Sequence, residues 1–178
     1  MVTCKYGPAS APAAKRYVKR QTMKTWTEAD FDAMSWHDNS IHAITFHHEL
    51  NGPGRLSLDI DHILEWLCPS DGTYNFRTVP ATLMFREVLD LHIDVNFAKV
   101  TGATSPISID RIRRECVPRQ GFPPDQWWYI DLAWPNGAIS FTSSGYVQTQ
   151  TGIELNTNNL MLSAEDRQEA MKSLNQAL

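Results

Sequence analysis

The chain contains few cysteines and no long apolar run. Cys4, Cys68 and Cys116 are widely spaced and form no CxxC pair, so neither a disulfide framework nor a zinc ribbon is indicated. No segment approaches the roughly 20 apolar residues of a membrane-spanning helix, and no apolar run near the amino terminus resembles a secretory signal. These absences predict a soluble, cytoplasmic protein that does not bind a membrane.

Sequence motifs of the familiar enzyme classes are also missing. The chain contains no HExxH, no phosphate-binding glycine loop and no GxSxG motif, and none of its cysteines has a recognisable catalytic context. The sequence therefore leaves enzymatic activity undecided but favours a function without catalysis, and it indicates no cofactor.

Acidic residues are absent from the first 27 positions. Residues 1–24 contain six lysines and arginines beside a stretch rich in Gly, Pro and Ala, a composition typical of disordered segments. We predict that residues 1–24 form a basic extension and that residues 25–178 form a single β-rich domain. Because Met23 lies just before the first predicted helix, residues 1–22 are either native or a non-native, upstream-translated extension.

The remaining chain is strongly acidic. Without residues 1–24 it has 10 lysines and arginines against 20 aspartates and glutamates, a net charge of −10. Such a surface repels phosphate backbones, so we do not predict a nucleic-acid partner. A basic partner protein or a cation is the better match, and the sequence does not indicate an oligomeric state.

Short apolar segments recur about every ten residues between turn signals. We predict one short helix over residues 25–34, and then a strand with a bulge or twist near residue 43, where the apolar parity changes. The turn at residues 51–54 leads into residues 56–66, where apolar and polar side chains alternate through Trp66. This pattern predicts a β-hairpin.

Similar patterns continue to the carboxy terminus. Short strands with hairpin turns favour antiparallel pairing over a parallel sheet, which would need helices between its strands. The predicted fold is mainly β (α+β), an antiparallel β-sandwich or strongly curved sheet with a short amino-terminal helix and a carboxy-terminal helix. Further predicted elements are strands at residues 81–85, 91–97, 107–116, 128–134, 139–141 and 146–150, and a helix from Ser163 to about Leu174.

Asp59 and Asp61 are two residues apart on the predicted outward face of one strand. Their carboxylates therefore project the same way, and a cation or an arginine would relieve their repulsion. His62 belongs to the opposite, apolar face, which argues against a three-ligand site. We expect structural or solvated roles for both acids.

His92 and Asp94 form a second pair on one face of a strand. If that strand lies beside residues 56–66, then Asp59, Asp61, His92 and Asp94 could cluster around a divalent metal. The simpler interpretation is a polar row that faces solvent on an antiparallel sheet.

A third polar motif, Trp36-His37-Asp38-Asn39, lies at the junction between helix and strand. Asp38 or Asn39 can satisfy free backbone groups in a turn, and His37 can donate to a carbonyl. Connecting segments also carry many functional sites, so the motif stays a candidate. The full candidate set is Trp36, His37, Asp38, Asn39, Asp59, Asp61, His92 and Asp94.

Three separated motifs carry a family resemblance. They are residues 35–39 with Ile41-His42, residues 58–66 (LDIDHILEW) and residues 80–88. Through these motifs the chain resembles a family of small, mostly bacterial proteins that form a domain of unknown function. The His-Asp motif followed by β-hairpins is also similar to the immunity protein 50 family. The first resemblance spans about residues 26–150, and neither implies a catalytic residue.

Two functions follow from these observations. The first is a non-enzymatic, immunity-like binding module that docks a basic partner protein, such as a toxin, through surface charge. The alternative is a divalent-metal-binding protein or metal-assisted hydrolase that uses His37, Asp38, Asp59 and Asp61, together with His92 and Asp94 on the sheet face. We predict the first, without a catalytic metal.

Overall fold

Antiparallel strand pairing accounts for most of the chain in a computed structural model. The structure describes residues 23–50, 52–67, 74–97, 107–118, 120 and 124–177. Residues 1–22 of the predicted extension and Asn51 of the predicted turn lie outside the described residues. Lys24, at the end of the predicted extension, accepts a backbone hydrogen bond from Gln150 and forms an ion pair with Glu154.

Nine strands and two helices are present in the described residues, and the predicted mainly β fold with flanking helices is confirmed. None of the described helices is both long and apolar enough to span a lipid bilayer. The strands are β1 Thr25–Thr27, β2 Ser40–Glu49, β3 Gly52–Leu67, β4 Asn75–Val95, β5 Ile107–Val117, β6 Asp125–Trp134, β7 Gly137–Thr142, β8 Gly145–Gln150 and β9 Leu155–Thr157; a 3-10 helix spans Glu28–Ala33, and α1 spans Ala164–Ala177.

The sheet closes on itself through β4. The strand order is β1-β8-β4-β3-β2-β5-β6-β7, β9 pairs with β4, and β7 also returns to pair with β4. The first part of β4 pairs with β3 and β8, whereas Leu89 to Val95 pair with Thr142 to Gly137 of β7. One long strand therefore closes a ring of the strands β4-β3-β2-β5-β6-β7, and β1, β8 and β9 lie outside this ring.

A bend in β4 replaces a predicted break between two strands. Residues 81–85 and 91–97 were predicted as separate strands, but β4 runs continuously from Asn75 to Val95, so this prediction is wrong. Glu87 and Asp90 have φ values of 51° and 52°, in the left-handed region. These two residues, with an irregularity in the pairing to β7, turn the strand from one neighbour to the next without a loop.

The predicted helix over residues 25–34 is wrong for its first three residues. Thr25, Trp26 and Thr27 pair with β8, and only Glu28–Ala33 is helical, as a 3-10 helix. Threonine and tryptophan fit a sheet edge well, and pairing with β8 overrides the local helix signals. The Asp30 carboxylate accepts a hydrogen bond from the Thr27 backbone N–H at 2.8 Å, which stabilises the helix start.

The register of β2 and β3 agrees with the sequence pattern at one end and departs from it at the other. The bulge predicted near residue 43 is confirmed, because the pairing with β3 shifts between Ile41 and Ala43. A second shift, between Ile63 and Glu65, interrupts the alternation of β3. Trp66 was predicted to continue the apolar row, but it is 44% exposed.

The hydrophobic core lies inside the closed sheet and is rich in aromatic rings. Phe85 contacts Phe141 edge-to-face, with 4.7 Å between ring centroids, and Trp128 contacts Tyr146 at 5.7 Å. All four rings are fully buried. Such rings bury large apolar areas, and their edge-to-face contacts add about 0.5–1.5 kcal/mol per pair. The aromatic core therefore holds the opposite walls of the sheet together.

Replacement of Gly137 by alanine should destabilise the sheet where it closes. A Cβ atom at Gly137 would overlap the backbone carbonyl oxygen of Asp94 in β4, and backbone atoms cannot move aside as a flexible side chain can. We expect Gly137→Ala to lower the free energy of unfolding in urea by about 2 kcal/mol. Gly52→Ala is the control, since its Cβ would meet no atom within 4 Å; equal losses in both variants would contradict the expectation.

Candidate functional site

Arg167 of α1 binds both carboxylates of the Asp59 and Asp61 pair. Its Nη2 donates to Asp59 Oδ1, and its Nη1 donates to Asp61 Oδ1 and, at 3.3 Å, to the backbone oxygen of Ile60. Arginine was one of the two counter-charges that the sequence predicted for this pair. The guanidinium is nearly buried, so it is held between the helix and the sheet.

Asp61 is completely buried although it lies on the outer face of β3. Structural and solvated roles were both left open for this acid, and the structural one applies, because α1 covers this face at Asp61. Its Oδ2 atom accepts hydrogen bonds from His42 Nε2 at 2.8 Å and from the Leu162 backbone N–H at 2.9 Å. A carboxylate cannot donate, so His42 carries a proton on Nε2. These donors, with Arg167, satisfy both oxygens of a carboxylate that is removed from water.

Asp61, its hydrogen-bond donors Arg167 and His42, and the Leu162 backbone N–H form the Asp61 cluster. This cluster holds α1 against the sheet. A buried charge is costly unless it is paired and hydrogen-bonded, and here the pair forms only when α1 lies against β3. Sequence analysis missed both Arg167 and His42. Two signals pointed to Arg167. The two aspartates need a counter-charge, and the predicted carboxy-terminal helix contains a single arginine.

Removal of the Arg167 guanidinium should destabilise the protein strongly. In Arg167→Met the Asp61 carboxylate stays buried without its cation, and we expect a loss of about 3–5 kcal/mol in urea unfolding. The double variant Asp61→Asn/Arg167→Met should recover part of this loss, since no buried charge remains. Arg55→Met removes an exposed ion pair with Glu49 and should cost at most about 1 kcal/mol. A similarly small cost for Arg167→Met would contradict a structural role of the Asp61 cluster.

Two members of the junction motif, Trp36 and Asn39, are buried and hydrogen-bonded within the fold. Trp36 Nε1 donates to Gln148 Oε1 at 2.8 Å. Asn39 Oδ1 accepts from the Ile63 backbone N–H at 3.1 Å, and its Nδ2 donates to His62 Nδ1 at 2.9 Å. Trp36 therefore links the segment before β2 to β8, and Asn39 links this segment to β3. Neither side chain is available to a ligand.

His62 is a buried base that forms no ion pair with any acid in the described part of the chain. It accepts from Asn39, and its ring lies edge-on to Trp26 with 5.3 Å between centroids. Burial disfavours the protonated imidazolium and lowers the pKa of His62 to about 4. The folded protein therefore holds His62 neutral over a pH range in which the unfolded chain would protonate it.

His62 should make the protein sensitive to acid. Between pH 6.5 and pH 4 the unfolded chain binds a proton that the folded state excludes, so stability falls as the pH is lowered. The shift in pKa corresponds to about 3 kcal/mol. Urea unfolding at pH 7 and pH 4 should show that the wild type loses about this much more than His62→Asn, whose amide oxygen takes the place of Nδ1 and can still accept from Asn39; equal losses would disprove this role.

His37 and Asp38 lie at a different place on the surface. The exposed His37 ring has its Nδ1 3.1 Å from the Asp110 backbone oxygen and its Nε2 3.5 Å from Asp38 Oδ2. It stacks on Trp66 with 6.4 Å between ring centroids. Asp38 adopts a left-handed φ of 62°, and its N–H donates to Ile109 O at 2.9 Å. These contacts are separate from the Asp61 cluster.

His92 and Asp94 are exposed on the far part of β4 and do not join Asp59 and Asp61. They pair with Ser140 and Ala138 of β7. Asp59 instead pairs with Thr82, which is ten residues before His92, or roughly 30 Å of extended strand. The four-residue cluster considered in the sequence analysis therefore does not form. Among the described residues, no three His, Cys, Asp or Glu side chains are arranged to hold a metal ion.

Positive side chains are almost all neutralised by neighbours. Arg111 and Arg113 both bind Asp131, and the hydrogen bond from Arg113 holds the pKa of Asp131 below its usual value. In the described part of the chain, nine lysines and arginines face 19 aspartates and glutamates, a net charge of −10. Eight of these nine cations form ion pairs: Lys24, Arg55, Arg77, Arg86, Arg111, Arg113, Arg114 and Arg167.

An open apolar groove lies between the β2–β3 hairpin and the bend in β4. Its volume is about 360 Å³, and Phe46, Leu89 and Leu91 are among the residues that line it. Sequence analysis missed this groove, because these residues look like ordinary strand positions. Leu89 and Leu91 flank Asp90 of the bend, for which the sequence gives no clear signal.

Comparison with family models, with curated proteins and with solved structures found no match to this chain. The resemblances noted in the sequence therefore stay predictions. Function is argued below from the geometry and charge of the described residues.

Proposed function

We propose that the protein is a non-enzymatic, cytoplasmic binding module that docks a basic partner protein. The observation that carries this proposal is the imbalance of charge. The described residues have a net charge of −10, and eight of their nine cations are already paired with carboxylates. Among the described residues, carboxylates therefore outnumber lysines and arginines by ten.

Surface charge of one sign favours a partner of the opposite sign. Complementary charge steers the encounter and raises the association rate, and it discriminates against acidic competitors. The similarity of the His37-Asp38 motif to the immunity protein 50 family supports the same class of function, with a basic toxin as the partner.

The metal-assisted alternative has weaker support. It needs Asp59 and Asp61 as free ligands, but Arg167 binds both, and Asp61 also accepts from His42 and from the Leu162 backbone. A metal ion would have to displace this arginine and detach α1. The two acids are better explained as structural groups.

Binding of the physiological partner should depend strongly on salt. The partner is first captured from an extract of the source organism, purified and then titrated with the protein by calorimetry. We expect a basic protein whose Kd rises about tenfold or more between 50 and 300 mM NaCl, because salt screens exposed charges. A tight partner that is acidic, or whose affinity does not change with salt, would contradict the proposal.

Titration of the chelator-treated protein with zinc, manganese and nickel tests the alternative function. We expect no submicromolar binding. A submicromolar constant that disappears in Asp59→Ala would overturn the proposal in favour of a metal protein, and unfolding curves of this variant would show that its fold is retained.

A further inference from the structure

We infer that the bend of β4 and the adjacent β2–β3 hairpin form the docking surface for an apolar, basic segment of the partner. We call this the bend surface. It consists of the apolar residues Phe46, Leu50, Leu89 and Leu91 and the acidic residues Glu87, Asp90 and Asp94. The inference rests on the proposed function and names the part of the molecule that performs it.

Large apolar side chains are unusually exposed at the bend surface. Phe46 is 57% exposed, Leu89 is 56% exposed and Leu50 is 90% exposed. Phe46 and Leu89 border the groove of about 360 Å³, which Leu91 also lines. Single exposed apolar residues are ordinary, but a group around one groove is typical of a binding site. The groove can take one or two apolar side chains of a partner.

The acids of the bend surface form no ion pair with any described lysine or arginine. Asp90 lines the groove, and Glu87 and Asp94 lie on the same strand just outside its lining. Arg55 is the one cation among the described residues of the lining, and it forms an ion pair with Glu49 at 3.3 Å. A segment that places apolar side chains in the groove would therefore meet free carboxylates on the β4 side, where lysine or arginine would bind.

The backbone presents these side chains at some cost. Glu87 and Asp90 both have left-handed φ values, and this region is unfavourable for most residues other than glycine, asparagine and aspartate. Strained backbone persists where the surrounding structure enforces it, and it is frequent at binding sites. In β4 the strained backbone of Glu87 and Asp90 lies next to the exposed side chains of Leu89 and Leu91.

A second copy of the chain is a poor occupant for the same surface. The described residues of each copy have a net charge of −10, and two copies that met at this surface would place Glu87 and Asp90 of one near those of the other. Such like-charge contacts oppose association. Charge complementarity therefore favours a basic segment of a different protein.

Selection from a phage-displayed library of random 12-residue peptides tests the inference without knowledge of the partner. We expect the selected peptides to contain lysine or arginine next to aromatic or aliphatic residues. Synthetic versions of them should bind about tenfold more weakly to Phe46→Ser and to Leu89→Ser, because these variants remove apolar contact area. Asp90→Asn, which tolerates the left-handed backbone, should weaken binding about threefold at low salt.

Matched controls separate the bend surface from the rest of the molecule. Leu160→Ser removes a leucine that is 40% exposed in the segment before α1, and Glu165→Gln removes an exposed acid of α1. Both should change affinity less than about twofold, since residues away from an interface contribute little. Urea unfolding of each variant confirms that the fold is retained.

The outcomes of these experiments distinguish a failure of the bend surface from a failure of the proposed function. Basic peptides whose binding is insensitive to Phe46→Ser and Leu89→Ser would overturn the bend surface but leave the proposed function intact. Selection of acidic or uncharged peptides would overturn both. Sedimentation analysis at two protein concentrations tests whether the chain associates with itself. A dimer that Phe46→Ser dissociates would show that a second copy is the occupant, and the inference would be wrong.

Discussion

The structure depends on the continuity of β4. This 21-residue strand pairs with β3, β7, β8 and β9, so it connects the parts of the sheet that would otherwise have open edges. Unpaired backbone groups inside a sheet are costly, and the closed pairing satisfies them. The bend at Glu87 and Asp90 allows one strand to pair with β3 and β8 before it and with β7 after it. The aromatic core is enclosed only because this bend closes the sheet.

A second constraint is the buried charge of Asp61. Its carboxylate is stable only with Arg167, His42 and the Leu162 N–H in place, so the helix and the sheet must form together. This dependence explains why a polar motif that looks like a metal or acid–base site is structural. Two acids on one strand face had to find a cation, and an arginine from the same chain is the simplest one.

Sequence reasoning recovered the periodic features and missed those that depend on distant contacts. The β2 bulge near residue 43 follows from local alternation and was predicted correctly. The continuity of β4 was missed, because polar residues such as Glu87 and Asp90 look like a loop when their strand partners are unknown. The cover over Asp61 was also missed, since Arg167 is 106 positions away and no local pattern connects them.

The candidate surface follows from the same two constraints. Ion pairs occupy eight of the nine described lysines and arginines, as Arg167 and Arg55 show, and carboxylates remain in excess among the described residues. Closure of the sheet forces the bend in β4, and Leu89 is exposed at that bend. In the proposed function, long-range charge would set how fast a basic partner arrives, and local apolar contact would set how long it stays. The features that complete the fold thus also create a surface that suits a basic, apolar segment.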